Sequence, residues 1–212
     1  MKKLLVASGN AKKLVELRRI FAEVPGLEVV GPADVGGIPE VEEDGDTFEH
    51  NARKKAREIA QATGVMTLAD DSGLEVDALG GAPGVYSARY SGDEGASHPG
   101  GQVGANNDKL LRALADVSAE ERTARFRCVL AVADPRGPLG DDEHVSAGSV
   151  EGIIAVAPRG DGGFGYDPLF LPEGRQEAMA ELTAPEKDAI SHRARAASAL
   201  LPFLHGYCGK DA

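Results

Sequence analysis

Lys3-Leu4-Leu5-Val6-Ala7, then Ser8-Gly9-Asn10, then Ala11-Lys12-Lys13-Leu14 follow one another near the start of the chain. An apolar run, a polar turn and an amphipathic stretch, in that order, predict a buried strand over residues 3–7 that feeds a helix. From Ala11 onward, Leu14, Leu17, Phe21 and Val24 fall on one helical face, and Pro25-Gly26 ends the pattern. Residues 27–30 read as a second strand. The first apolar run is too short for the core of a signal peptide, so export is not expected.

The same reading extends along the chain. Residues 31–47 are rich in Gly, Pro and acids and read as a loop. A second helix follows, capped by Asp46 or Thr47 and closed by Gly64, with Phe48, Ala52, Ala56, Ile59 and Ala60 as its apolar stripe. Residues 65–69 form a strand that is expected to stop at Asp70-Asp71-Ser72-Gly73. Residues 80–104 are dominated by Gly, Pro and Ser and read as loop, with a helix over about 107–115. Residues 123–133 alternate, placing Phe126, Cys128, Leu130 and Val132 on one face, and residues 144–157 read as their extended, antiparallel partners. A short strand at 169–171 precedes one last helix, opened by a Thr183/Glu186 capping box and striped by Ile190, Ala194, Ala197, Leu201 and Leu204. The expected fold is α/β: a mixed twisted sheet with flanking helices. No repeat or linker divides residues 1–212, which read as a single domain.

Composition narrows the function classes. The chain has 212 residues, 42% hydrophobic and 27% charged, as in an ordinary globular protein. No apolar stretch approaches the ~20 residues that span a bilayer. Cys128 and Cys208 are too few for a disulfide framework or a zinc site, Cys128 is expected to be a buried structural thiol, and the compartment reads as the reducing cytoplasm. A formal net charge of −11 argues against a nucleic-acid polymer or an anionic membrane as partner. A polyphosphate ligand would require the basic residues to be gathered locally.

Four groups of residues carry chemistry. At the turn Ser8-Gly9-Asn10-Ala11, backbone N–H groups of a helix start attract anions. Lys12 and Lys13 sit where the helix dipole disfavours cations by ~0.3–1 kcal/mol each, a placement that suits a bound phosphate. Glu42-Glu43-Asp44 and Asp70-Asp71 are acid clusters, and magnesium is usually held by one or two carboxylates with waters and phosphates. The first cluster can equally be a solvated turn. Gly160 to Asp167 includes G-x-G-x-x-G, but Pro168 and a strand follow where a dinucleotide fold needs a helix. Phe164-Gly165-Tyr166-Asp167 reads better as a stacking surface for a base. Lys187 with Ser191-His192-Arg193 again puts basic groups in an early helical turn, and the helical wheel sets His192 off the core face.

In order and content these segments resemble the non-canonical purine NTP pyrophosphatases, also called inosine triphosphate pyrophosphatases. The matching residues are Ser8-Gly9-Asn10 with Lys13, Glu42-Glu43 ahead of Gly45 and Thr47-Phe48, Asn51-Ala52, and Ala69-Asp70-Asp71-Ser72-Gly73-Leu74. Gly80-Gly81-Ala82-Pro83-Gly84, Ser87-Ala88-Arg89-Tyr90, Phe164-Gly165-Tyr166-Asp167-Pro168, Glu186-Lys187 and Ser191-His192-Arg193 complete the set, which runs from about residue 3 to 204. The resemblance implies hydrolysis of ITP, dITP and XTP to the monophosphate and pyrophosphate, with Mg2+ as cofactor. It also implies a homodimer of two-lobed chains with the site in a central cleft.

Carried over by position, Ser8, Gly9, Asn10, Ala11, Lys12 and Lys13 would hold phosphates. Glu42 and Asp71 would bind the metal, with Glu43 an open alternative to Glu42. Asp71 would be the general base and Ser72 a substrate contact. Phe164, Gly165, Tyr166, Asp167, Lys187, His192 and Arg193 would contact the nucleotide. Ser8 stands where the family more often has threonine, which keeps the hydroxyl, and residues 92–104 are longer and more Gly-rich than usual. Pyrimidine-directed enzymes of the Maf type begin with a Ser-x-Ser-Pro-Arg segment that is absent here. A phosphomonoesterase would release orthophosphate, and a non-catalytic nucleotide-binding module would need neither the acid pair nor both basic clusters.

Overall fold

The computed structural model describes residues 1–209. Strand β1 (Lys2–Val6) leads through the polar turn into helix α1 (Ala11–Ile20), and β2 (Leu27–Val30) follows. Helix α2 (Phe48–Thr63) comes next. Thr47 caps it by accepting from the His50 N–H at 3.1 Å, and Gly64 closes it in the left-handed conformation. Strands β3 (Met66–Val76), β4 (Thr123–Ala133), β5 (Glu143–Ile154) and β6 (Phe170–Pro172) join β1 and β2 in one sheet of order β2-β1-β3-β4-β5-β6. Strand β1 runs parallel to β2 and β3, as the helical crossovers α1 and α2 require, and β5 is antiparallel to β6. The sheet is therefore mixed, as expected.

Helices α3 (Gly101–Ala113), α4 (Ala184–Ile190) and α5 (His192–Cys208) complete the fold. The chain divides into two compact units. One comprises Met1–Asp71, Cys128–Gly148 and the chain from His192 onward; the other comprises Ser72–Arg127 and Ser149–Ser191. Each has its own core. In the first, Leu4, Val6, Leu17, Phe21, Leu68, Cys128, Leu130, Leu200 and Leu204 pack together. In the second, Leu74, Val76, Leu110, Leu114, Phe126, Tyr166 and Phe170 do so. No helix among the described residues is long and apolar enough to cross a membrane.

Four expectations need correction. Strand β3 does not stop at the acid pair but runs through it to Val76, because Leu74 and Val76 continue the apolar pattern into the second core. Residues 84–89 and 92–96 form 3-10 turns, and α3 begins at Gly101 instead of 107, so the Gly-rich stretch is partly helical. The last helix is two, broken at Ser191, whose ψ of 148° is extended. That break re-phases α5 and turns His192, expected off the core, into a buried position.

Candidate active site

In the first unit, the turn after β1 builds an exposed helix start. Asn10 caps α1 by accepting from the Lys12 N–H at 3.0 Å, and the Ser8 hydroxyl accepts from the Asn10 N–H at 3.1 Å. No acid occupies the first turn of α1, and residues 9–12 are exposed. The remaining N–H groups of that turn point out of the helix, an arrangement that can attract an anion.

Asp70 and Asp71 are neighbours on β3, so their side chains leave opposite faces of the strand. Asp70 turns into the interior and is fully buried there. It accepts from Lys13 Nζ, from Arg193 Nε at 2.8 Å and from Cys128 Sγ at 3.3 Å. Burial alone would push its carboxyl up, but the charges of Arg193 and Lys13 hold it well below the usual carboxylate range. Arg193 is 2% exposed and also donates to Glu16 at 3.1 Å. Although burial opposes its charge, Asp70 and Glu16 keep it protonated. The buried structural thiol expected at Cys128 is confirmed, its pKa raised by burial and by Asp70.

Asp71 lies in a different field. Burial and the charge of Glu43 push its carboxyl up from 3.8 to about 6, against the pull of Lys55 and a hydrogen bond from Asn51. Asn51 is 1% exposed and also holds the acidic loop, accepting from the Gly45 N–H at 2.8 Å. Lys55 pairs with Glu43 and Lys54 with Asp44, which fastens the same loop to α2. Glu43 is the half-buried acid that acts on Asp71, whereas Glu42 is exposed. Among the described residues no group of three or more His, Cys, Asp and Glu could hold a metal by itself. Two carboxylates suit magnesium, which takes few protein ligands and completes its shell with water and phosphate oxygens.

At the start of α5, Gly148 of β5 lets the backbones touch: a Cβ there would stand 2.4 Å from the His192 carbonyl and 2.5 Å from the Ala196 nitrogen. Ser146 adds a bond to the Ala196 carbonyl at 2.9 Å. The first turn of α5, carrying His192 and Arg193, is thereby pinned to the strand.

In the second unit, the aromatic loop is held from several sides. Asp167 accepts from the Phe164 N–H at 2.8 Å and pairs with Lys187, whose ammonium lies 4.8 Å from the centroid of the Phe164 ring. Gly163 is obligatory there: its φ is +76°, and a Cβ would fall 2.1 Å from Asp167 Oδ2. Tyr166 is buried and donates its hydroxyl to the Ser87 carbonyl at 2.9 Å. Glu186 accepts from both the N–H and the hydroxyl of Thr183, fixing the start of α4 and so Lys187. Ser72, the first residue of this unit on β3, is half-buried.

The structure thus gathers Lys13, Arg193 and Asp70 in one cluster and Asp71, Glu43, Asn51 and Lys55 in a second, both in the first unit. It gathers Phe164, Gly165, Tyr166, Asp167 and Lys187 in the second unit. Sequence reasoning missed Asn51 and Lys55 as site residues. Their spacing of four residues, which puts both on one face of α2, is the signal that could have found them.

Comparison with known proteins agrees with this chemistry. The model of the Ham1 family matches residues 4–203. A dITP/XTP pyrophosphatase of Corynebacterium efficiens is 50% identical over 98% of this chain and the whole of the relative. The Ham1 protein of Staphylococcus aureus superposes with a TM-score of 0.83 at 39% identity, covering 97% of this chain and 99% of that one. A nucleoside-triphosphatase described as a dITP/XTP pyrophosphatase from Mycobacterium abscessus does so at 0.74 and 48% identity, over 95% and 99%.

Proposed function

The chain belongs to the Ham1 family, and from that premise we infer that it hydrolyses ITP, dITP and XTP to the nucleoside monophosphate and pyrophosphate, clearing non-canonical purines from the nucleotide pool. The observation that carries the chemical assignment is the grouping of Asp71 with Glu43, Asn51 and Lys55, a buried carboxylate beside a second acid, an amide and a lysine. A carboxylate so placed can orient or deprotonate the attacking water.

In this reading water attacks the α-phosphorus. Asp71 takes its proton, and the bond from the α-phosphorus to the oxygen bridging the α- and β-phosphates breaks, releasing pyrophosphate. Asp71 with Glu43 or Glu42 would hold magnesium, which when bound withdraws charge from the phosphates and acidifies its water. The N–H groups of residues 8–13, with Lys12 and Lys13, steady the polyphosphate. Lys13 exchanges its bond to Asp70 for one to phosphate, and Arg193 remains to balance Asp70.

Base reading falls to residues 164–167 and Lys187, with Phe164 as the stacking surface; in the first turn of α5 His192 is the proposed contact, whereas Arg193, 2% exposed and bonded to Asp70 and Glu16, acts as their counter-ion. Donors at a helix start suit a 6-oxo group and are left unpaired by the 6-amino group of adenine, a cost of ~1–3 kcal/mol. Ser72 is a substrate contact. A homodimer working in the cytoplasm completes the proposal; two buried thiols with no disulfide suit that compartment.

The test is purified protein with ITP, with and without magnesium, separating pyrophosphate from orthophosphate, with ATP and GTP beside it. Pyrophosphate and IMP, favoured over ATP and GTP and abolished by chelation, are expected. Orthophosphate, or equal rates on ATP, would overturn the reading.

A further inference from the structure

Helix α3 carries two adjacent asparagines, both buried, that differ in how completely they are bonded. Asn106 is fully engaged. Its Oδ1 accepts from the Ser91 N–H at 2.8 Å and from Gln102 Nε2 at 3.0 Å, while its Nδ2 donates to the carbonyls of Ser87 at 3.2 Å and Ala88 at 3.1 Å. The Ser87 carbonyl is also where the Tyr166 hydroxyl ends. Asn107 makes one bond, from Nδ2 to the Gly165 carbonyl at 3.1 Å. Its Oδ1 is buried and has no hydrogen-bond partner among the described residues.

The orientation of that amide is set by Gly165. Turned over, it would bring two carbonyl oxygens face to face. The bond therefore fixes the Gly165 peptide, which sits at φ +63° between Phe164 and Tyr166, where a glycine backbone is otherwise free to rotate. A buried acceptor without a donor costs stability, and an apolar residue of similar size would avoid that cost. Packing alone gives no reason for an asparagine here. Two adjacent residues of α3 consequently brace the loop at two points: at Tyr166 through Asn106 and Ser87, and at Gly165 directly.

We propose that Asn107 is a positioning residue for base recognition, its amide N–H holding the Gly165 carbonyl and through it the Phe164 ring. The proposal rests on residues 164–167 reading the base. It gives a role to the end of the Gly-rich stretch, which delivers Asn106 and Asn107 on an early turn of α3. Stability is given up at this position in return for a fixed stacking surface, the kind of exchange found at binding sites.

The experiment compares wild type with Asn107→Leu and Asn107→Asp, measuring kcat and KM for ITP and ATP with magnesium, together with Tm. Leucine removes both the donor and the unmet acceptor; aspartate keeps the size and removes the donor. Loss of one neutral hydrogen bond corresponds to roughly tenfold, so KM is expected to rise about tenfold for ITP and ATP alike, since a stacking surface serves either purine. We expect kcat to stay within about twofold, since the bond acts on binding and not on proton transfer, and Tm of the leucine variant to stay within a few degrees of wild type, the removed acceptor offsetting the lost bond to the Gly165 carbonyl. Wild-type KM for ITP in either folded variant would overturn the proposal, as would a fall in kcat that matches the rise in KM. If wild type itself shows no preference for ITP over ATP, the reading of the loop falls and this proposal with it. A wild type that prefers ITP, with variants of unchanged KM, defeats only the role of Asn107.

Discussion

The first unit holds its functional groups by charge; the second holds its loop chiefly through neutral amides, hydroxyls and carbonyls. Around Asp70, two cations, a thiol and the more distant Glu16 form a largely buried network of paired charges. Around residues 164–167, Asn106, Asn107, Ser87 and Tyr166 carry no charge, and Asp167–Lys187 is the one ion pair in direct contact with the loop among the described residues. The difference follows the ligand each would serve. A polyphosphate demands cations, and buried cations must be balanced when it is absent. A purine base presents donors and acceptors of no net charge, for which fixed neutral groups discriminate best.

The largest expected effect comes from the first unit. Asp71→Asn should lower kcat by about 10²–10⁴-fold, the range for removing a general base, while leaving the fold intact. Near-normal turnover in a steady-state assay would sink the assignment. The same variant sharpens the electrostatic side. Because the folded Asp71 carboxyl titrates near 6 and the unfolded one near 3.8, the native state binds the extra proton in that window. Its contribution to stability is thus full below about pH 4 and lost as pH rises through about 6, on the order of 2–3 kcal/mol. Denaturation at pH 4 and pH 7.5 should show wild type losing this relative to Asp71→Asn; parallel curves would contradict the shift.

Arg193→Met tests whether charge balance holds the first unit. Removing one partner of a buried pair costs ~3–5 kcal/mol, and the remaining Lys13 bond should keep the loss near the lower end. A Tm depression of about 6–12 °C is expected in thermal melts. An unchanged Tm would mean that Asp70 is balanced without Arg193. In the second unit, Lys187→Met should raise KM for ITP roughly tenfold with a Tm change of only a few degrees, because a partly exposed pair contributes about 1 kcal/mol or less. A fall in kcat at unchanged KM would remove Lys187 from base binding. The smallest effect is expected for Cys128→Ser, which keeps a donor to Asp70: kcat/KM should stay within about twofold, and a larger loss would give the thiol a role beyond packing.

Most elements were legible because local rules sufficed. Residues 27–30 and 123–133 are strands with the expected bounds, and α2 is closed by Gly64 as its composition implied. The strand-to-helix turn after β1 was legible because Ser8-Gly9-Asn10 breaks an apolar run just ahead of an amphipathic one. The break at Ser191 was not, since the capping box at Thr183 and the apolar residues beyond it suit one helix as well as two. The division into two units left no mark either. Strands β3, β4 and β5 each pass from one unit to the other, so no linker composition exists to be read.

By itself the sequence determined the α/β class, the polar turn from β1 into α1, the acid pair and the family, since these rest on periodicity, turn chemistry and contiguous motifs. Only the tertiary structure decided that Asp70 is a buried counter-ion and Asp71 the raised acid. Two identical residues side by side on a strand differ only in which face each meets, and that is settled by Arg193, 123 positions away from Asp70. The roles of Asn51, Lys55 and Asn107 belong to the same class. Each is an ordinary helical residue until the fold brings a distant carboxylate or carbonyl within reach of its side chain.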